Sequence, residues 1–133
     1  MPGPAKAGAL IYAKDLDRLS RFYQTLLSMQ LLSADREHHV IESAEIQLVI
    51  HAIPPHIAVT IAIAAPPEPR EEQAIKLFFT VPSLSGAETV AASLGGRLFG
   101  DAYQGPGFKV RNGCDPEGNI LQLRENTESG GIS

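Results

Sequence analysis

The sequence predicts an α+β fold in which two tandem βαβββ modules form one domain. Patterns typical of strand, helix, strand, strand and strand follow one another, and this whole order occurs twice. The two copies align at a shift of 68 positions, which places Leu16 over Leu84 and Leu26 over Leu94. A length of 133 residues fits a single domain, so we expect both modules within one domain spanning 1–133.

Module one is predicted to span residues 7–52. Its first strand is the short apolar run Ala7–Ala13. A helix follows, because Asp15 is a suitable N-cap and apolar residues recur at helical spacing from Leu16 to Leu27. The pattern then changes to short strands separated by polar turns, around Leu31–Leu32, His39–Glu42 and Ile46–Ala52.

Residues 53–74 are predicted to connect the modules. Pro54 and Pro55 end the last strand of module one, and the apolar stretch Ile57–Ala65 is a possible additional strand. The segment Pro66–Glu72 combines prolines with charged residues, which is typical of a stiff, exposed connector.

Module two is predicted to span residues 75–125, followed by a flexible tail at 126–133. It begins with a strand at Ile75–Val81, and the capping-box pattern of Ser85–Glu88 opens a helix that Gly95 and Gly96 end. Three strands are expected near Arg97–Phe99, Gly107–Arg111 and Asn119–Arg124, with a turn at Asn112–Gly118 before the last one.

Composition and charge exclude several classes of partner. Lys and Arg number 11 against 15 Asp and Glu, which gives a net charge of -4, and the basic residues are scattered, so a nucleic-acid partner is not expected. The longest apolar stretch is far shorter than the roughly 18 residues of a membrane span. Cys114 is the only cysteine, which rules out an internal disulfide and fits a reducing compartment. We therefore expect a cytoplasmic protein without a membrane partner.

Two motifs carry a resemblance to a known family. Lys14–Tyr23 looks like the D-L-x-x-S-x-x-F-Y helix entry of the vicinal oxygen chelate superfamily, with the serine displaced, and Asp115–Asn119 looks like its D-P-x-G-N turn. The resemblance covers about Ala7 to Glu125. The superfamily includes glyoxalase I, extradiol dioxygenases, methylmalonyl-CoA epimerase, fosfomycin-resistance thiol transferases and bleomycin-resistance proteins. It implies a cupped mixed sheet and a homodimer.

The resemblance also implies where a divalent metal would be bound in catalytic members. The implied ligand positions fall on Gly8, Gln47, Lys76 and Gln122. Glycine has no side chain and a protonated lysine has no lone pair, so two carboxamides remain, a poor set for Zn, Ni, Mn or Fe(II). A shifted alignment would add only His51. We therefore predict no metal and no cofactor.

Alternation along the strands predicts a ligand-binding face. In the strand Ile46–Ala52 apolar residues occupy one face and a mixed set of polar and apolar residues the other, and Ile75–Val81 has a similar two-faced pattern. His51 and Lys76 are the candidates for proton transfer, and Tyr103 is expected on a mobile loop. His38, His39 and His56 are expected in turns. The predicted ligand-binding residues are Leu10, Tyr12, Gln47, His51, Lys76, Phe78, Tyr103, Gln122 and Arg124.

These expectations favour a metal-free small-molecule binding protein of the glyoxalase or bleomycin-resistance type, with its ligand in the cup of the sheet. The alternative is a lyase, isomerase or thiol transferase of the same superfamily, either metal-dependent or using His51 or Lys76 for proton transfer. A third hypothesis is an interaction or structural module. The charge of the ligand stays open, because the acidic composition favours a cation whereas Lys76 and Arg124 favour an anion.

Overall fold

Each half of the chain forms a four-stranded sheet, and the two sheets share one topology. The computed structural model describes residue 5 and residues 7–127, and its contacts divide the chain into unit 1, up to residue 62, and unit 2, from residue 63. In each unit the first strand lies at the edge of the sheet and is parallel to the last strand, and the other neighbouring strands are antiparallel. The predicted βαβββ repeat is thus confirmed.

Unit 1 follows the predicted order of elements. Its sheet has the strand order β1-β4-β3-β2. The elements are β1 (Gly8–Ala13), α1 (Leu16–Leu26), β2 (Gln30–Ala34), β3 (His38–Glu42), β4 (Gln47–Ala52) and a short α2 (Pro55–Ala58).

Unit 2 repeats this order without the short second helix. Its sheet has the strand order β5-β8-β7-β6. The elements are β5 (Leu77–Thr80), α3 (Leu84–Ser93), β6 (Arg97–Gly105), β7 (Phe108–Cys114) and β8 (Ile120–Asn126). No described helix is long and apolar enough to cross a bilayer. The predicted tail lies outside the described residues from 128 onward, and Asn126 belongs to β8.

Helix α1 forms as the sequence predicts and covers one face of the unit 1 sheet. The carboxylate of Asp15 accepts a hydrogen bond of 3.2 Å from the backbone N–H of Arg18, which satisfies one of the free donors at the helix start. The apolar stripe of the helix is buried against β3 and β4, whose core side chains are fully buried. The largest contributors to this core are Leu19, Phe22, Tyr23, Ile41, Leu48 and Ile50.

A buried polar chain joins α1 to β3. Ser20 is fully buried, and its Oγ accepts a hydrogen bond of 2.9 Å from Gln24 and lies 2.7 Å from Nδ1 of His39. The carboxylate of Asp17 lies 3.3 Å from Nε2 of His39 and can only accept, so the proton of the neutral ring is assigned to Nε2, and the Ser20 hydroxyl then donates to Nδ1. His39 therefore lies in β3, as the predicted strand His39–Glu42 requires and not in a turn, and it links the helix to the sheet.

The connector differs from its prediction. Ile57–Ala65 forms no strand, because Pro54 and Pro55 start the short helix α2, in which the carbonyl of Pro54 accepts from two N–H groups. Pro66–Glu72 is mostly exposed, but Arg70 fixes it to the turn after β7 through a hydrogen bond of 2.8 Å to the carbonyl of Gly118. Gly118 has φ of +87°, and a side chain there would collide with the connector backbone.

The N-cap of helix α3 lies two residues before the predicted one. Ser83, not Ser85, is the N-cap, and its Oγ accepts from the N–H of Gly86 at 3.0 Å. The predicted end is confirmed, because Gly95 has φ of +95° and the N–H of Gly96 donates to the carbonyl of Ala91 at 2.9 Å, as in a Schellman cap.

Strand β6 is longer than predicted and changes the position of Tyr103. The stretch expected as a mobile loop continues β6 after an irregularity between Phe99 and Tyr103, so that Tyr103 pairs with Val110. The hairpin turn contains only Pro106 and Gly107 between the strands. Tyr103 is therefore held in a sheet.

We predict that Ser20→Ala lowers the free energy of unfolding by about 1–3 kcal/mol, because it leaves the buried Nδ1 of His39 without a donor. Ser33→Ala, at an exposed position of β2, should stay within about 0.5 kcal/mol of wild type. Urea denaturation followed by circular dichroism measures both. Equal losses in the two variants would show that the buried chain adds nothing to stability.

Candidate functional site

Each sheet has an outer face, the face opposite its buried apolar side chains. In unit 1, Leu48 and Ile50 are fully buried, whereas Leu10 and Tyr12 on the other face are 50% and 60% exposed. The parallel register of β1 with β4 pairs Gly8 with Gln47 and Tyr12 with His51. The outer face of unit 1 therefore contains Gly8, Leu10, Tyr12, Gln47, Val49 and His51.

The close approach of β1 and β4 leaves no room for a ligating side chain at Gly8. A Cβ atom added there would collide with the backbone carbonyl oxygen of Gln47. The side-chain amide of Gln47 in turn donates a hydrogen bond of 3.0 Å to the carboxylate of Glu42 on β3. The two implied metal positions of unit 1 thus provide no side chain and a carboxamide that already has a partner.

Three rings lie side by side across β1, β4 and β3. His51 is the register partner of both Tyr12 and His38, with ring centroids 5.3 Å and 4.4 Å away. Nδ1 of His51 lies 2.8 Å from the carbonyl oxygen of Ala52, so it carries the proton and donates it. In the neutral ring Nε2 then has a free lone pair, which is what a general base needs.

Asp35 organises the hairpin that carries His38. Its carboxylate accepts hydrogen bonds of 2.8 Å from the backbone N–H groups of Glu37 and His38, and these bonds, that of Glu37 first, lower the pKa of Asp35. The same carboxylate lies 3.4 Å from Nδ1 of His38. The turn therefore fixes the start of β3 and the position of the His38 ring, which lies next to His51.

The outer face of unit 2 combines aromatic, amide and cationic side chains. Phe78 pairs with Gln122, which pairs with Asn112, and the Gln122 amide donates to the hydroxyl of Tyr103 at 3.2 Å. Phe78 and Tyr103 are 55% and 51% exposed. We define this outer face by Phe78, Thr80, Tyr103, Phe108, Val110, Asn112, Gln122 and Arg124.

Lys76 lies beside this face and not within β5. The strand begins at Leu77, and the register partner of Gln122 is Phe78, not Lys76. The exposed ammonium of Lys76 donates to the side-chain oxygen of Asn112 at 3.4 Å. Together they line a depression of about 400 Å³ whose wall also contains Arg70, Glu71, Gln73, Ile75, Phe99 and Ile120.

Arg124 is the cation at the centre of the unit 2 face. Its guanidinium carbon lies 3.8 Å from the ring centroid of Phe78 on β5 and 4.5 Å from that of Phe108 on β7. Its buried Nε has no hydrogen-bond partner within the described part of the chain. The neighbouring Glu125 faces away and accepts from the N–H of Leu84 at 2.7 Å.

The predicted ligand-binding residues thus divide between the two units. Leu10, Tyr12, Gln47 and His51 share one face of the unit 1 sheet. Phe78, Tyr103, Gln122 and Arg124 share one face of the unit 2 sheet, with Lys76 at its margin. Sequence reasoning missed His38, Asn112 and Phe108, the first two because they were expected in turns. The signal that would have revealed His38 is the β3–β4 hairpin, in which His38 and His51 lie directly opposite each other.

These residues do not fit the metal that the superfamily resemblance implies. Among residues 5 and 7–127, no group of three or more His, Cys, Asp or Glu side chains is placed to hold an ion. Cys114 adds no donor to either face, since it is buried and desolvation raises the pKa of its thiol.

The chain matches a known protein family. A family model for the glyoxalase-like domain matches residues 9–124, and the chain belongs to this family. No curated protein matches the chain.

Solved structures show the same fold at low sequence identity. A glyoxalase/bleomycin resistance protein/dioxygenase family enzyme from Burkholderia phytofirmans PsJN has a TM-score of 0.68 and 16% identity, covering 90% of this chain and 97% of that one. The fosfomycin resistance protein FosX from Mesorhizobium loti has a TM-score of 0.62 and 12% identity over 100% of both chains. A bleomycin-binding protein complexed with bleomycin has a TM-score of 0.58 and 18% identity, covering 92% and 99%.

We predict that Gly8→Ala lowers the free energy of unfolding by about 1–3 kcal/mol, because the added methyl group separates β1 from β4. Gly86→Ala is the control, since its Cβ would make an ordinary contact of 3.5 Å with Ser83 and favours the helix. Urea denaturation measures both. A Gly8→Ala protein as stable as wild type would mean that this position has room for a ligating side chain.

The lowered pKa of Asp35 predicts a pH dependence. The ionised carboxylate of Asp35 stabilises the folded state at pH values above its ordinary pKa of 3.8. This stabilisation is lost as the pH falls through the lower pKa that Asp35 has in the folded protein. The stability difference between wild type and Asp35→Asn should therefore shrink between about pH 5 and pH 2. Urea denaturation at a series of pH values measures it, and a difference that is constant over this range would contradict the assignment.

Proposed function

We propose that this protein is a metal-free small-molecule binding protein whose ligand is held against the outer face of a sheet within one unit. The observation that carries the proposal is the large exposed side chains on the two outer faces, above all Tyr12 and Phe78. Each lies beside hydrogen-bonding groups, as in the mixed lining of small-molecule sites. Exposed aromatic residues grouped with polar partners are typical of binding surfaces.

The donor chemistry supports binding without a metal. At the four implied ligand positions the chain has Gly8, an ammonium group and two carboxamides, and each of the three polar groups donates to a neighbouring side chain. Such groups recognise the hydrogen-bonding atoms of an organic ligand better than they hold a divalent ion.

Membership of the glyoxalase-like family supports a small molecule as the partner. One structural neighbour is named for binding bleomycin and another for fosfomycin resistance. We extend to this chain only the coarse property that a compact organic ligand is bound. The homodimer and the cytoplasmic location expected from the sequence stay predictions, and sedimentation velocity tests the first.

A neutral fluorescent probe, N-phenyl-1-naphthylamine, tests the proposed function. We expect saturable binding to wild type that is unchanged by EDTA. Binding should be weakened about fivefold or more in Tyr12→Ser if the probe binds the unit 1 face, or in Phe78→Ser if it binds the unit 2 face, because that face loses an aromatic contact. Val59→Ser is the matched control, since Val59 is 79% exposed but lies outside both sheets. Absence of binding, loss of binding in EDTA, or equal weakening in the control would contradict the proposal.

A second candidate function is proton-transfer catalysis on the unit 1 face. The observation in its favour is the hydrogen bond that leaves Nε2 of His51 with a free lone pair beside Tyr12 and His38. Isomerisation of a glutathione hemithioacetal, followed by absorbance, is the test. If the face is catalytic, turnover is lost in His51→Gln and retained in His56→Gln, whose exposed ring lies in α2. Inactive wild type would exclude this candidate for that substrate.

A further inference from the structure

We infer that the ligand of the unit 2 face is an organic anion whose carboxylate, phosphonate or sulfonate group is bound by Arg124. The inference rests on the proposed function and names the chemical class of its ligand. It resolves the question of ligand charge that composition leaves open, and it depends on how Arg124 is held and on the charges around it.

The two phenylalanine rings place the guanidinium of Arg124 in a defined position. Phe78 and Phe108 belong to the strands on either side of β8, and their ring centroids lie 3.8 Å and 4.5 Å from the guanidinium carbon. Rings packed against a planar guanidinium contact its faces and leave its N–H donors directed along its plane. Those donors form the fork that pairs with two oxygens of a carboxylate or phosphonate.

The position of Phe108 depends on the glycine opposite it. Gly105 is its register partner on β6, and a Cβ atom at Gly105 would collide with the far end of the Phe108 ring. The ring therefore lies across a position where only a hydrogen atom fits. Gly105 and Phe108, at the end of the β6–β7 hairpin, thus place one of the two rings that pack against Arg124.

Arg124 has no acceptor of its own in the described chain. Its buried Nε lacks a hydrogen-bond partner, and none of the ion pairs found among the described residues includes Arg124. The buried Nε of Arg111 also lacks a hydrogen-bond partner, but Nη1 of Arg111 pairs with Glu88 at 3.0 Å, and Lys109 pairs with Glu125 at 3.8 Å. A partly buried guanidinium without an acceptor is a group whose hydrogen bonds an external anion can complete.

The charges around Arg124 favour an anion. None of the residues that define the unit 2 outer face is acidic, and Lys76 adds a second positive charge at its margin. Glu71 of the connector lines the depression near Lys76, and Glu125 faces the opposite side of the sheet. Although the chain has a net charge of -4, the positive charge of Arg124 attracts anions locally.

The rest of the face fits the organic part of such a ligand. Phe78 and Tyr103 expose more than half of their surfaces, and the side-chain amide of Gln122 lies between them in the hydrogen-bond and register pattern. Apolar surface next to a cation suits a carboxylic, phosphonic or sulfonic acid with an aromatic or aliphatic body, and it favours such an acid over an inorganic ion.

A pair of probes of similar size and opposite charge tests the inference. We propose to titrate ¹⁵N-labelled protein with phenylphosphonate and, separately, with benzyltrimethylammonium, and to follow the Nε–H resonance of Arg124 and the side-chain amide of Gln122. We expect phenylphosphonate to bind roughly tenfold more tightly than the cation and to shift both signals. Inorganic phosphate should bind more weakly than phenylphosphonate, because it lacks the apolar part.

Matched variants separate the role of Arg124 from net charge. Arg124→Gln and Arg124→Lys should each weaken phenylphosphonate binding roughly tenfold or more, since the first removes the charge and the second removes the planar fork. Arg21→Gln changes the net charge as Arg124→Gln does, but at an exposed position of α1, and should bind like wild type. The wild-type Arg124 resonance keeps the test valid if a variant fails to fold.

Several outcomes would overturn the inference. Equal or tighter binding of the cation, phenylphosphonate binding that leaves the Arg124 signal unshifted, or equal losses in Arg21→Gln would each do so. Failure of both charged probes would also overturn it. The neutral probe described above is independent of ligand charge, so it decides separately whether the small-molecule function holds.

Discussion

The parallel pairing of first and last strands in each unit is the constraint on which the rest of the structure depends. It sets Gly8 against Gln47 in one sheet and Phe78 against Gln122 in the other. Since partners in register share a face, these pairs decide which side chains lie together on each outer face. In unit 1 the two backbones approach so closely that the first position excludes any side chain. In unit 2 the same pairing puts an aromatic ring opposite the amide.

This pairing explains how a common fold has two dissimilar faces. The unit 1 face has a row of three rings, Tyr12, His51 and His38, in which one imidazole nitrogen is free. The unit 2 face has a cation supported by two phenylalanines. Topology alone is therefore a weak guide to chemistry, and function must be argued from the side chains on these strands.

Much of the fold could be predicted from the sequence because its signals are local. The N-cap at Asp15, the glycine end of α3 and the alternation in β4 each depend on neighbouring residues only. The wrong predictions concern segments whose conformation depends on contacts with other segments of the chain. Tyr103 belongs to a strand because of its pairing with Val110, and the connector is fixed by its bonds to the turn at Gly118.

The candidate site was harder to predict than the fold for the same reason. Alternation separated the two faces of each strand, but the partner of Gln122 depends on the residue at which β5 begins, which the periodicity of Ile75–Val81 does not define. Asn112 was missed because it was expected in a turn, and Phe108 because its contact with Arg124 joins two different strands. Arg124 could be named, whereas its two aromatic neighbours could be identified only from the structure.

Metal analysis of the purified chain tests the central claim most directly. After dialysis against metal-free buffer, mass spectrometry of the elements should find well under one equivalent of any divalent transition metal per chain, in keeping with a donor set of amides and an ammonium. About one equivalent that survives dialysis and is lost when Gln47 and Gln122 are replaced together would contradict the account, because those positions would then hold an ion.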